Sequence, residues 1–189
     1  MVEKLGDRAI RFARPASSAR AIVRAVRAWP GVADVVVARD TVAAYFAGAP
    51  DIDDARIAAL AALPDDPTPP REHVLRAIYD GEDLDELART TGCDVARVHA
   101  AATYTVDQMG FLPGFAYLVG LDPRLAVPRR ATPRPRLAAG SIAIAAGYTA
   151  VYPLDSPGGW HLIGHVVDAR MFGPEGSLLS IGDRVRFQC

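Results

Sequence analysis

Apolar and polar positions change their period once along this chain. Residues 9–13 (AIRFA) predict a short strand. Residues 17–29 (SSARAIVRAVRAW) place Ile22, Val23, Val26 and Trp29 on one helical face, with Ser17 or Ser18 as N-cap and Pro30-Gly31 as the stop. Residues 32–38 and 41–47 are apolar runs separated by Arg39-Asp40 and predict a hairpin. Residues 51–63 (DIDDARIAALAAL) predict a second helix, acidic in its first turn as the helix dipole favours. After the loop 64–70 (PDDPTPP), residues 73–79 predict a fourth strand. The order βαββαβ predicts a ferredoxin-like layer of helices on a sheet over residues 1–80.

Residues 84–90 and 95–102 read as two short helices split by Thr91-Gly92, with Asp94 capping the second, so residues 81–103 form a helical connector. After Tyr104 no stretch keeps a 3.6-residue period. Residues 104–189 become short strands between frequent turns, the pattern of a small closed barrel or sandwich, and the class is α+β. The uncharged run 137–154 (LAAGSIAIAAGYTAVYPL) approaches the length of a membrane span, but its glycines, polar residues and Pro153 break it. Ile142 and Ile144 alternate with small residues, so two strands joined near Ala146-Gly147 are expected in place of a membrane segment.

Composition sharpens the same division. Residues 1–109 hold 12 Gly and Pro and the remaining 80 hold 19, while basic and acidic residues number 13 against 17 before Gly110 and 8 against 5 after it. So mild an asymmetry argues against nucleic acid as a partner. Cys93 and Cys189 have no neighbour at metal or redox spacing, and residues 1–12 lack the apolar core of an export signal, so a cytoplasmic location is expected. Lys4 is the one lysine among 21 basic residues. The lysine of a GxxxxGK[ST] phosphate loop, of a biotin attachment point or of a Ser-Ser-Lys amidase therefore has no candidate, and no GxSxG elbow is present. If anions are handled, arginine handles them.

Candidate chemistry gathers in the second half. His161 and His165 lie on a predicted strand about 13 Å apart, too far to share an ion, and no metal is expected. His73 reads as a surface strand residue. His99 reads either as a general base or as a structural residue satisfied by nearby backbone. GFLPGF, with Phe111, Pro113, Gly114 and Phe115, reads as a tight turn over core aromatics or as one wall of a pocket. Residues 124–136 (RLAVPRRATPRPR) carry five arginines and no acid. Each of Pro128, Pro133 and Pro135 stiffens the backbone beside an arginine, which lowers the entropy lost when a guanidinium grips a carboxylate or phosphate. In SPGGW, Gly158 and Gly159 offer bare backbone beside Trp160, either as a turn or as an anion contact.

These motifs, in this order, carry a family likeness. YTVDQMGFLPGFAYLVGLDPRLAVPRRATPRPRLAAGSIAI followed by YPLDSPGGWHLIGHVVDARMF closely resembles the family of 5-oxoprolinase B subunits, also called the first subunit of allophanate hydrolase or the kinase-inhibitor type. GDRAIRF, YDGEDLDELARTTG and GDRVRF extend the likeness over the whole chain. The resemblance implies a ferredoxin-like N-terminal domain and a cyclophilin-like C-terminal β-barrel. It implies a carboxyltransferase-type domain shared with a C-type partner, and an A-type partner in the ATP-dependent opening of 5-oxoproline to glutamate, with no biotin. By position it implies Arg129, Arg130, Arg134, Ser141, Gly158 and Gly159 as substrate or anion contacts. Phe111, Pro113, Gly114, Phe115, Tyr152 and Trp160 become pocket residues, Gly110 and Gly140 motif glycines, and His99 a catalytic candidate. Tyr148 stands where the family commonly has glutamine, and His165 where it commonly has arginine. The alternative function is regulatory, the barrel inhibiting a sensor histidine kinase through the apolar surface around GFLPGF.

Overall fold

The computed structural model of the protein describes residues 2–189, and they form two compact units. One gathers the chain through Pro69 together with Asp107–Met109; the other gathers Pro70–Val106 and Gly110–Cys189.

The first unit is built from β1 (Val2–Lys4), β2 (Ala9–Ala13), α1 (Ala19–Arg27), β3 (Val32–Val37), β4 (Thr41–Phe46) and the short α2 (Asp54–Ala58), which tightens into a 3-10 turn at Ala59–Ala62. Local chemistry sets these boundaries. The Ser18 hydroxyl accepts from the Ala21 amide and the Asp53 carboxylate from the Arg56 amide, satisfying N–H groups that a helix start leaves free. Ile22 and Val26 of α1 are buried with Phe12, Val35, Val37, Val42 and Ala44 of the sheet, whose strand order is β1-β2-β4-β3 and wholly antiparallel. The edge beside β2, where a βαββαβ layer seats its fourth strand, is held by β1.

The strand expected there joins the second unit instead. β5 (Glu72–Ile78) pairs parallel with β15 (Arg184–Gln188) and antiparallel with β12 (His161–Val167). The remaining barrel strands are β6 (Thr103–Met109), β7 (Ala116–Val119), β9 (Ser141–Ala145) and β10 (Tyr148–Val151), giving the closed order β10-β7-β6-β15-β5-β12-β9. This corrects the expected four-stranded βαββαβ arrangement over residues 1–80. The reason is that period-two patterning shows a strand has a buried face without saying which sheet it completes. Closure removes the unpaired edges of the sheet.

α3 (Leu84–Thr91) and α4 (Val95–Ala100) fall where expected. Gly92 ends α3 at φ +68°, and the Asp94 carboxylate caps α4 on the Arg97 amide. Two small ribbons complete the unit: β8 (Arg134–Leu137) with β11 (Ser156–Gly158), and β13 (Phe172–Gly173) with β14 (Gly176–Ser177). The 137–154 run resolves into β9 and β10 joined at Ala146 and Gly147, both at positive φ (50° and 83°), the backbone of a two-residue hairpin turn. No helix among the described residues is long and apolar enough to cross a membrane. Ile142, Ile144, Leu118, Ile163, Val185 and Tyr104 fill the barrel, each fully or almost fully buried and each worth about 1.5–3 kcal/mol in burial for the aliphatic members.

Candidate functional site

The site grows from the turn ahead of β7. The Phe115 amide donates to the Leu112 carbonyl (3.0 Å) and the Gly110 amide to the Phe115 carbonyl (3.2 Å), folding residues 110–115 back on themselves. Gly114, at φ +81°, is buried where an added Cβ would lie 2.7 Å from Cβ of Phe172. Phe115 turns inward, and alternation along β7 puts Tyr117 on the same face. Around Phe115 the rings meet edge to face: Tyr117 at 4.9 Å, Tyr152 at 5.3 Å, Phe111 at 5.3 Å and Trp160 at 5.7 Å between centroids. Such pairing holds rings more firmly than area burial alone. Phe111 differs from the others. It is 59% exposed and sits at φ +72°, a backbone conformation that costs a bulky residue about 1–2 kcal/mol.

These rings line a cavity of about 210 Å³, closed by Pro133, Pro157, Gly158 and Gly159 and reached by Arg129. Gly158 is required by close approach, because an added Cβ would collide with the Tyr152 hydroxyl and with Leu137. At Gly159 the nearest atom, Cγ of Pro133, would be at 3.6 Å, an ordinary contact. Gly158→Ala is therefore expected to cost about 1–3 kcal/mol by overpacking, and Gly159→Ala less than about 0.5 kcal/mol. Thermal unfolding of the two variants checks this, and equal losses would contradict the packing account.

Burial pushes the Tyr152 hydroxyl up to about 12, the nearby Arg129 charge opposing it in part, and burial also raises Tyr117. Both phenols are neutral hydrogen-bond donors at ordinary pH.

The five arginines of residues 124–136 separate sharply. Arg124 pairs with Asp122 (2.7 Å) and Arg136 with Asp155 (2.6 Å) on the surface. Arg130 and Arg134 both reach one carboxylate oxygen of Asp83, at 2.7 and 2.8 Å, while its other oxygen accepts the Leu162 amide at 2.7 Å. Burial alone would raise the Asp83 carboxyl, but the Arg134 hydrogen bond, the Leu162 amide and the two guanidinium charges outweigh it and hold it below the usual carboxylate value. Arg130 and Arg134, expected as anion contacts, are thus held by Asp83 in an anchor that fixes the loop against the start of β12. Arg129 alone of the five has no acid partner among the described residues, and it is exposed at the cavity.

Of the other expected site residues, Pro113 is exposed away from the cavity lining. Ser141 is buried at the start of β9, where its carbonyl accepts the Tyr152 amide (2.9 Å). His99 has no exposed surface. Its Nδ1 faces the Tyr79 hydroxyl (2.7 Å), its Nε2 faces the Thr149 hydroxyl (2.8 Å), and its ring packs on Tyr104 and Phe187. His165 pairs with Asp80 (2.9 Å) on the surface. No cluster of three or more potential metal ligands occurs among the described residues. Sequence reasoning missed Asp83 and Tyr117. The second had a signal, its place two residues beyond Phe115 on a strand.

Known proteins resemble this chain in sequence and fold. Residues 3–179 match the model of the carboxyltransferase domain, subdomain C and D. A Bacillus subtilis protein named as the B subunit of 5-oxoprolinase is 42% identical over 113 residues, 57% of this chain and 47% of that protein. A Haemophilus influenzae protein of the same name is 43% identical over 118 residues, 58% of this chain and 55% of that one, so the chain spans about half the length of these relatives. The solved structure of TTHA0988 superposes with a TM-score of 0.78 at 33% identity, covering 100% of this chain and 40% of that one. The match over nearly all of its length shows that the chain belongs to the family of carboxyltransferase domains, subdomain C and D.

Proposed function

We propose that this chain serves as the B subunit of an ATP-dependent 5-oxoprolinase, a hydrolase that opens 5-oxo-L-proline to L-glutamate together with its A-type and C-type partners. The observation that carries the reading is the aromatic cavity with one guanidinium, Arg129, at its mouth and without an acid partner among the described residues. A five-membered lactam bearing one carboxylate asks for that combination. Its ring lies against Trp160, Phe115 and Phe111, its carboxylate pairs with Arg129, and the neutral phenols of Tyr117 and Tyr152 are donors for a lactam oxygen.

The name borne by the relatives supports the same substrate. One water adds across the ring C–N bond as it breaks, and a second is consumed as ATP yields ADP and phosphate. At about 210 Å³ the aromatic cavity is smaller than the roughly 300–1,000 Å³ of pockets that take drug-sized ligands, so it suits the lactam and not the nucleotide. This chain's part is positioning: burial of the ring, orientation through the carboxylate, and exclusion of water by the aromatic wall. Its two free cysteines suit a reducing compartment, and we place it in the cytoplasm.

The test is steady-state turnover of 5-oxoproline by the protein combined with its A-type and C-type partners. Loss of a charge-assisted contact made to substrate and transition state alike raises KM about 10–100-fold in Arg129→Ala with kcat little changed, and Arg129→Lys recovers only part of it. Unchanged KM in both variants would overturn the assignment.

A further inference from the structure

The side chains on the aromatic cavity carry one sign of charge. Arg129 brings a fixed positive charge, while Tyr117 and Tyr152, both held above the ordinary phenol value by burial, stay neutral and supply no negative one. The rest of the lining is aromatic, proline or glycine, with no Asp or Glu among the described residues that form it. Asp83, the acid that anchors the loop of Arg129, is committed to Arg130, Arg134 and the Leu162 amide.

That pattern sorts ligands by charge. A carboxylate pairs with Arg129, and the uncharged nitrogen of a lactam enters without needing a counter-ion. The ammonium of an amino acid leaves water for a wall that holds no acid, and it sits one carbon from the carboxylate that Arg129 grips, where the guanidinium repels it. One feature opposes this sorting: ring faces attract cations, and the lining is rich in rings. Those of Phe115, Tyr117, Tyr152 and Trp160 are engaged edge to face with one another. A protonated amine also gives up hydrogen bonds to water that only phenol oxygens would replace here.

We propose that this cavity admits ligands that carry a carboxylate and rejects those that also carry an ammonium, and so tells 5-oxoproline from the glutamate formed from it. The inference rests on the 5-oxoproline reading. The nitrogen of the substrate is an uncharged amide. When water opens the ring C–N bond, the new carboxylic acid gives its proton to the freed amine, leaving a second carboxylate and an ammonium where the lactam was. The product thus sets a positive charge beside Arg129, and the step that completes the reaction favours release.

The test is competition against 5-oxoproline turnover by the protein combined with its A-type and C-type partners, with cyclopentanecarboxylate, L-proline and L-glutamate as competitors. Proline and cyclopentanecarboxylate share ring size and carboxylate and differ in the ammonium. Proline and glutamate are expected to compete about 10–100-fold more weakly than cyclopentanecarboxylate. The decisive variant is Phe111→Asp, at a position 59% exposed and at φ +72°, a conformation that Asp and Asn adopt more readily than Phe, so folding is not at stake. It adds an acid to the cavity and should narrow that gap about 2–5-fold, while Phe111→Asn, equally stripped of the ring, should leave the gap as it is. Comparing ratios cancels the loss of the ring, which weakens every competitor. Proline competing as well as cyclopentanecarboxylate in the wild type, or a gap no narrower in Phe111→Asp than in Phe111→Asn, overturns the inference. Either result, with KM raised in Arg129→Ala, leaves the 5-oxoproline reading standing; unchanged KM in Arg129→Ala and Arg129→Lys removes the reading and the inference together.

Discussion

Asp83→Ala is expected to destabilise the barrel unit by about 3–5 kcal/mol, the cost of removing one partner from a buried ion pair. The Asp83 side chain is 3% exposed and answers two guanidiniums and one backbone amide, while its own amide donates to the Leu162 carbonyl at 3.1 Å. Without it, Arg134, 17% exposed, retains Glu82, itself 73% exposed, and Arg130, 30% exposed, retains no acid partner among the described residues. Partial access of water to Arg130 pulls the value toward the lower end. Asp83→Asn keeps the acceptor for Leu162 and loses the charge, so it should fall between wild type and Asp83→Ala. Urea unfolding of the three proteins measures this, and a loss below about 1 kcal/mol in Asp83→Ala would mean that solvent already neutralises the arginines.

The anchor carries a pH signature as well. The folded-state value of Asp83 is depressed, so its stabilisation is present above the unfolded carboxyl value of about 3.9 and fades as pH falls toward the folded one. The same loss should loosen the 128–136 loop, and with it Arg129 and Pro133 at the cavity.

What was legible in the chain was local. The caps Ser18 and Asp94, the 32–46 hairpin and the turn at Ala146-Gly147 depend on residues a few positions apart, and each stands where its chemistry put it. The strand at Glu72–Ile78 was legible as a strand, but its parallel partner lies at Arg184–Gln188, over a hundred residues away, and no local signal reports that pairing. The site divides in the same way. Phe111, Phe115, Tyr152, Trp160, Gly158, Gly159 and Arg129 do meet around one cavity; the turn and ring chemistry within GFLPGF and within SPGGW is local, but the fold brings the two motifs, Tyr152 and Arg129 together. Which arginine is left without an acid is not local. Five arginines without an acid among residues 124–136 announced a demand for carboxylates, but only the fold decides that Asp83, in the acidic run opening α3, answers two of them.

His99 supplies the other large expected effect, on stability as a function of pH. The Thr149 hydroxyl donates to the Ala143 carbonyl (3.1 Å), so its oxygen accepts the hydrogen on Nε2 of His99, and Nδ1 accepts the hydroxyl hydrogen of Tyr79. Burial holds Tyr79 well above the ordinary phenol value, keeping that hydrogen in place. The neutral imidazole is therefore satisfied at both nitrogens, and burial drives its value down to about 3 from an ordinary 6.5. The sign follows from linkage. The unfolded chain takes up a proton at this ring below about pH 6.5 and the folded one does not until about pH 3, so the stabilisation is whole above about 6.5 and shrinks as pH falls. Between about pH 7 and about pH 3.5 the loss is on the order of 4 kcal/mol, with a slope approaching 1.4 kcal/mol per pH unit. His99→Gln offers the same donor and acceptor without a titration, so its stability should fall less steeply over that range once its own offset is subtracted. Ring resonances of His99 in the wild-type protein give an independent reading, and titration near 6.5 would refute the account. A general base must reach the proton it takes, and a ring with no exposed surface, both nitrogens engaged and two aromatic neighbours packed on it, is better suited to locking β10 against α4 than to proton transfer.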